Sequence, residues 1–230
     1  MAMAAPTATS TGTAPMRSDA HLLTLAQWLS PAYPLGAFAY SHGLESAVEA
    51  GWIADAEGLR LWLGDLLTQG SGRADAIWLH LAHASPDDAD LWALDDLARA
   101  FSPALERLRE GERQGAAFAR TTAEIWDLDL PTLLLPLALG RAARLLGMEP
   151  VPVAALYLHS FAGNLVASAQ RLMPLGQTAA QAVLADLTPL CTKVAAEAEG
   201  VPATDIASSA FLSDVAAMKH ETLEPRIFQS

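Results

Sequence analysis

Residues 55–70 read DAEGLRLWLGDLLTQG. Leu59, Trp62, Leu63, Leu66 and Leu67 recur at i, i+3, i+4, i+7 and i+8, which puts them on one side of a helix with 3.6 residues per turn. Asp55 stands where a carboxylate can accept the first free amides of that helix, and Gly70 where the helix can stop. The same pattern repeats in both directions. Asp19 predicts the cap of a helix reaching Trp28, with Leu22, Leu25, Ala26 and Leu29 on one face. A short helix is expected over 44–50, closed by Gly51, and another around Ile77, Trp78 and Leu81. Ser85-Pro86 and Ser102-Pro103 read as N-caps followed by proline in the first turn, where its missing N–H does no harm. Further helices are expected over 131–146, 152–172, 177–199 and 206–219. No alternating run of β-branched residues interrupts them. The expectation is an all-α fold: a single compact multi-helix bundle with short loops.

The chain has 230 residues, 52% of them hydrophobic, enough for one large domain with a buried core. Lys+Arg 14 against Asp+Glu 26 gives a formal charge of −12, which argues against nucleic-acid partners and against adsorption to an anionic membrane. One cysteine, Cys191, excludes an internal disulfide and a multi-cysteine zinc site, so the chain reads as cytoplasmic. The apolar run over 130–140 is about half a membrane span and carries Pro131 and Pro136, so it reads as core. Residues 1–18 hold Ala, Thr and Pro but no basic or continuous apolar stretch. They are expected to be a disordered tail rather than a signal peptide. Residues 19–217 are then the helical domain, and 218–230, HETLEPRIFQS with Met and Lys before it, an extended C-terminal segment.

Catalytic patterns are scarce. There are two lysines, Lys193 and Lys219, and neither follows a glycine-rich loop, so a Walker A site is excluded. No GxSxG, HExxH, GxGxxG or CxxC occurs. His80 and His83, with Asp87 one turn on, have spacing that could share a metal; a wet helix face is the simpler account. Ser41 reads as an N-cap rather than a nucleophile for His42, and Cys191 as a buried inert thiol. Asp87, Asp88, Asp90, Asp95 and Asp96 read as a solvated face. Two segments are built to hold a shape: 30–52, rich in Pro, Gly and aromatics, and the corner RLMPLGQT at 171–178.

Those two segments and the end of the chain carry a resemblance. QWLSPAYPLGAFAYSHGLESAVEAGW at 27–52, GERQGAAFAR at 111–120, NLVASAQRLMPLGQT at 164–178 and MKHETLEPRIFQS at 218–230 occur in the order found in the urease accessory protein family UreF, which the chain resembles from about residue 22 onward. Pro34, Gly36, Tyr40, Ser41, Gly43, Leu44 and Glu45 belong to the first block. Glu224 and Pro225 stand where the family usually has Tyr and Ser, Gln229 where it has Arg, and His42 where Gln is common.

The resemblance implies an all-helical, homodimeric, non-enzymatic factor. It would join a second accessory protein, UreD (or UreH), and recruit the GTPase UreG to the urease apoprotein for nickel insertion. No cofactor would be bound tightly, nickel being handled by the assembled complex. By the same resemblance, His220, Glu221, Thr222, Arg226 and Phe228 would be tail contacts to UreD, and Arg171, Pro174, Gly176 and Gln177 would face the GTPase. Two alternatives stand beside it: a regulator of GTP turnover acting through Arg171, or a helical enzyme with an apolar pocket near Trp62, Trp78 and Phe161.

Overall fold

A computed structural model describes residues 15–230, with side chains from Asp19 onward. Residues 1–14 of the expected tail lie outside the described residues. Ten α-helices follow one another: α1 (Pro15–Trp28), α2 (Leu44–Glu49), α3 (Ala56–Gln69), α4 (Ser71–Ala84), α5 (Asp88–Ala100), α6 (Leu105–Trp126), α7 (Leu135–Leu145), α8 (Pro150–Leu172), α9 (Gln177–Glu197) and α10 (Phe211–His220). Short 3₁₀ turns sit at Ala37–Ala39 and Ala203–Asp205, and no strand occurs among the described residues. The all-α expectation is met.

Helix α8 is the axis of the bundle. It lies along α9 and also touches α2, α3, α4 and α7. By length and composition α8 could cross a bilayer, yet Val153, Ala154, Leu158, Ala162, Leu165 and Val166 are buried in the protein core. α3 buries Leu59, Leu63, Leu66 and Leu67, the apolar face of residues 55–70 with the exception of half-buried Trp62. Trp28 at the end of α1 is fully buried, with Phe118 and Trp126 meeting it edge-on at 5.3 and 5.4 Å. α4 and α7 touch at the backbone. A methyl group on Gly140 would lie 2.3 Å from the Leu79 carbonyl oxygen, so only glycine allows this crossing.

Helix starts deviate from expectation, for readable reasons. α1 begins at Pro15, so Asp19 lies inside the helix instead of capping it. Ser85 ends α4, donating through both its amide and hydroxyl to the Leu81 carbonyl, and Asp87 is the cap of α5, accepting from the Asp90 amide at 3.1 Å. α7 starts at Leu135 rather than 131, because buried Asp95 takes the Leu134 amide at 2.7 Å. α6 starts at Leu105 rather than beside Ser102-Pro103, its first amide satisfied by the Glu221 carboxylate at 2.7 Å. α10 starts at Phe211 rather than 206, since Ser209 is clipped by its amide and hydroxyl to Gln69 at 2.8 and 3.0 Å.

Candidate functional site

The C-terminal segment is sewn to the body through the first family block. α10 turns Ser213, Ala216, Ala217 and His220 inward, side chains small enough, His220 apart, for two backbones to meet. The other half of that contact is Gly43, at φ +77°, where an added methyl group would lie 2.6 Å from the Ala217 amide nitrogen. Beyond α10 the chain runs back over α2 and α6. The buried Glu45 carboxylate accepts the Ile227 amide at 2.7 Å and the Phe228 amide at 2.9 Å. His220, fully buried, has its two ring nitrogens 2.7 Å from Glu106 and 3.1 Å from Glu45. Arg226 pairs with Glu106 from above. Ser41 and Ala39 complete the seam: the Ser41 amide and hydroxyl both donate to the Ser230 carbonyl, and the Gln229 amide donates to Ala39 at 2.8 Å.

Phe228 is buried, and the Arg171 guanidinium lies 4.3 Å from its ring centroid while donating to the Phe38 carbonyl at 3.1 Å. Thus Arg171 is held beside the tail. Pro174, Gly176 and Gln177 form an exposed corner just beyond it, Gly176 opening α9. Glu221 caps α6, and Thr222 is exposed and bonded only to Lys219 in its own turn. In the first block, Pro34 is exposed, Gly36 has φ +71°, Leu44 is buried and the Tyr40 carbonyl accepts from Ser168.

The outer side of α10 carries an apolar stripe that is exposed among the described residues. Phe211, Leu212, Val215 and Met218 are 70%, 59%, 40% and 51% exposed, and Ile227 from the tail adds 59%. Positions 211, 215 and 218 share one helical face. Apolar periodicity in the sequence marks such a face without saying whether core or solvent covers it. Reading it as partner-facing requires the fold, because α10 has already spent its small residues on the inside. Beside the stripe, Lys219 lies 5.1 Å from the Trp52 ring.

The chemical candidates resolve into structural roles. His80 and His83 do not share a metal: their Nε2 atoms lie 2.9 Å from the carbonyls of Ala195 and Met148. The wet-face account also fails for His80, which is buried and has its imidazole pushed below the usual range by desolvation. Of the acidic run, Asp87 caps, Asp88 pairs with Arg141, and Asp90 and Asp96 are exposed; Asp95 corrects the solvated-face expectation, being 1% exposed and bonded to Leu134 and Arg99. Burial raises the Cys191 thiol to about 11, an inert state. Among the described residues no three His, Cys, Asp or Glu side chains converge as metal ligands.

Sequence spacing missed one feature. A cavity of about 150 Å³ lies where α4, α6 and α8 meet the approach to α10. The Tyr157 hydroxyl donates to the Asp75 carboxylate at 2.6 Å across 82 residues of sequence. Desolvation raises Asp75 to about 6, moderated by the Tyr157 hydrogen bond and Arg107, and pushes Tyr157 well above its ordinary value. Trp78 and Phe161 line this cavity, whereas Trp62 packs elsewhere, against Trp52 at 6.3 Å.

Comparison with known proteins gives a consistent answer. The family model described as UreF matches residues 53–188. A urease accessory protein UreF of Cereibacter sphaeroides is 55% identical over 212 residues, covering 92% of this chain and 100% of that protein. Those of Ruegeria pomeroyi and Roseobacter denitrificans are 46% and 45% identical, covering 93% and 94% of this chain and 98% and 96% of theirs.

Proposed function

The chain belongs to the UreF family of urease accessory proteins, non-catalytic participants in urease maturation, and from that premise we propose that it works as a docking scaffold whose partner surface is the outer face of α10 and the segment behind it. The observation carrying this reading is the apolar stripe Phe211, Leu212, Val215, Met218 and Ile227, held out on a segment whose inner side is fastened by the buried Glu45–His220–Glu106 arrangement. A stripe of aliphatic and aromatic side chains on a rigid backing is the composition of a desolvated interface centre.

The partner assigned to this face is the UreD-type (UreH-type) accessory protein. Thr222 and Arg226 supply polar contacts at its rim, while buried His220 and Phe228 position the segment from within and exposed Glu221 ties it to the start of α6. The GTPase UreG is assigned to the exposed corner Pro174–Gly176–Gln177 beside Arg171. Arg171 there supports the tail through Phe228, which favours a positioning role over a direct part in GTP turnover. A second copy of the chain, the urease apoprotein and nickel, passing as cargo of the complex, complete the assembly, and its compartment is the cytoplasm. The first three of these assignments rest on the family resemblance, and the compartment on the single cysteine of the chain.

The test replaces Val215 and Met218 together by Glu and follows co-elution with the UreD-type partner by size-exclusion chromatography with light scattering. Both side chains are outward, so helicity and thermal midpoint stay within wild-type range, and co-elution is lost. Undiminished co-elution of the double variant overturns the assignment.

A further inference from the structure

The geometry points to a binding site for a small organic cation, of the guanidinium or substituted-ammonium class, in the cavity between α4, α6, α8 and the approach to α10. Among the described residues three carboxylates reach its wall, Asp75 from α4, Glu110 from α6 and Asp214 from α10, against one cation, Arg107, which is already paired with Glu110. Two negative charges therefore remain uncompensated when all three acids are ionised. Asp75 spends one oxygen on the Tyr157 hydroxyl; among the described residues, its other oxygen accepts no hydrogen bond. Aliphatic and small polar side chains make up most of the remaining wall, and the rings of Trp78, Tyr157, Phe161 and Phe101 stand among them.

This combination selects against other ligands. An anion meets excess negative charge. A bare divalent ion meets no set of three convergent His, Cys, Asp or Glu ligands among the described residues. A planar or tetrahedral organic cation instead gains charge-assisted hydrogen bonds at Asp75 and electrostatic attraction from ring faces. About 150 Å³ is the size of a cavity that holds a benzene-sized molecule, which limits the ligand to a short substituent on the charged head.

The pH dependence follows from the same groups. Asp75 faces Tyr157 on α8, Arg107 and Glu110 on α6 and Asp214 on α10. His42, close to this cluster through its bond to Ser71 at 2.7 Å, is kept neutral by burial and by Arg107. As pH falls through about 6, Asp75 takes up a proton and its attraction for the cation is lost.

The experiment titrates the full chain with n-propylguanidinium by calorimetry at pH 7.5 and 5.0, and with the neutral isostere n-propylurea. The expected result is saturable binding of the cation, weaker at pH 5.0, with propylurea weaker by about tenfold or more. Asp75→Asn and, separately, Asp214→Asn each weaken the cation while leaving propylurea unchanged. Absence of saturable binding by the wild-type chain, or equal binding of the cation and propylurea, overturns the proposal without recourse to any variant. Equal cation affinity in both folded variants overturns it as well.

Discussion

Gly43 lets the first family block meet the backbone of α10, and it has two independent reasons to be glycine: φ of +77° and a neighbour 2.6 Å from where a Cβ would stand. Gly43→Ala is expected to destabilise the fold by about 2–4 kcal/mol, the sum of a left-handed backbone penalty and overpacking against backbone, measured by urea denaturation. The glycine was visible in the sequence as part of a shaped segment; its contact, 174 residues away at Ala217, was not. Asp75 poses the opposite case. In an unfolded chain an aspartate titrates near 3.9, whereas folding moves Asp75 to about 6. Between those values the folded state binds more protons than the unfolded, so this residue's contribution to stability is best near pH 4 and declines until pH 6 is passed. Asp75→Asn, which keeps an acceptor for Tyr157, is expected to be more stable than wild type at pH 7.5 by about 1–3 kcal/mol, with the difference vanishing near pH 4. Urea melts of both proteins at the two pH values measure it. Neither Asp75 nor Tyr157 announces itself in the sequence, because the signal of a part-buried pair is proximity across two helices.

At the scale of elements, one carboxylate of α2 holds the C-terminal segment in the seam beside those of α6. Glu45 accepts two amides of the segment and faces His220. Glu45→Ala leaves the Ile227 and Phe228 amides without that acceptor, at roughly 1–3 kcal/mol for each one kept from water. The expected outcome is fast hydrogen exchange at residues 227 and 228, with total helix content by circular dichroism falling by no more than the 10 residues of α10. The helices themselves were legible wherever an apolar period ran unbroken, as in residues 55–70. Their starts were less so. Ser102-Pro103 has the local chemistry of a helix start, yet α6 opens at Leu105 on the carboxylate of Glu221, 116 residues on. Likewise α7 opens where Asp95 reaches it from α5. A cap supplied by a distant element leaves no local mark.

Across the whole molecule, the bundle buries one long apolar axis in α8 and leaves a second apolar face, on α10, outside. Composition anticipated the first, through 52% hydrophobic residues, but could not separate it from the second. Only the direction in which α10 packs tells them apart. The family blocks cluster in the same way: residues from 27–52, 164–178 and 218–230 meet at Phe38, Arg171 and Phe228. Blocks far apart in sequence thereby build one support for the proposed docking face.

Hydrogen–deuterium exchange of the full chain, alone and with the UreD-type partner added, tests that face most directly. The account predicts new protection concentrated in residues 211–230, with α3 and α9 unchanged. Protection confined to other surfaces, with 211–230 exchanging as in the free chain, would contradict it.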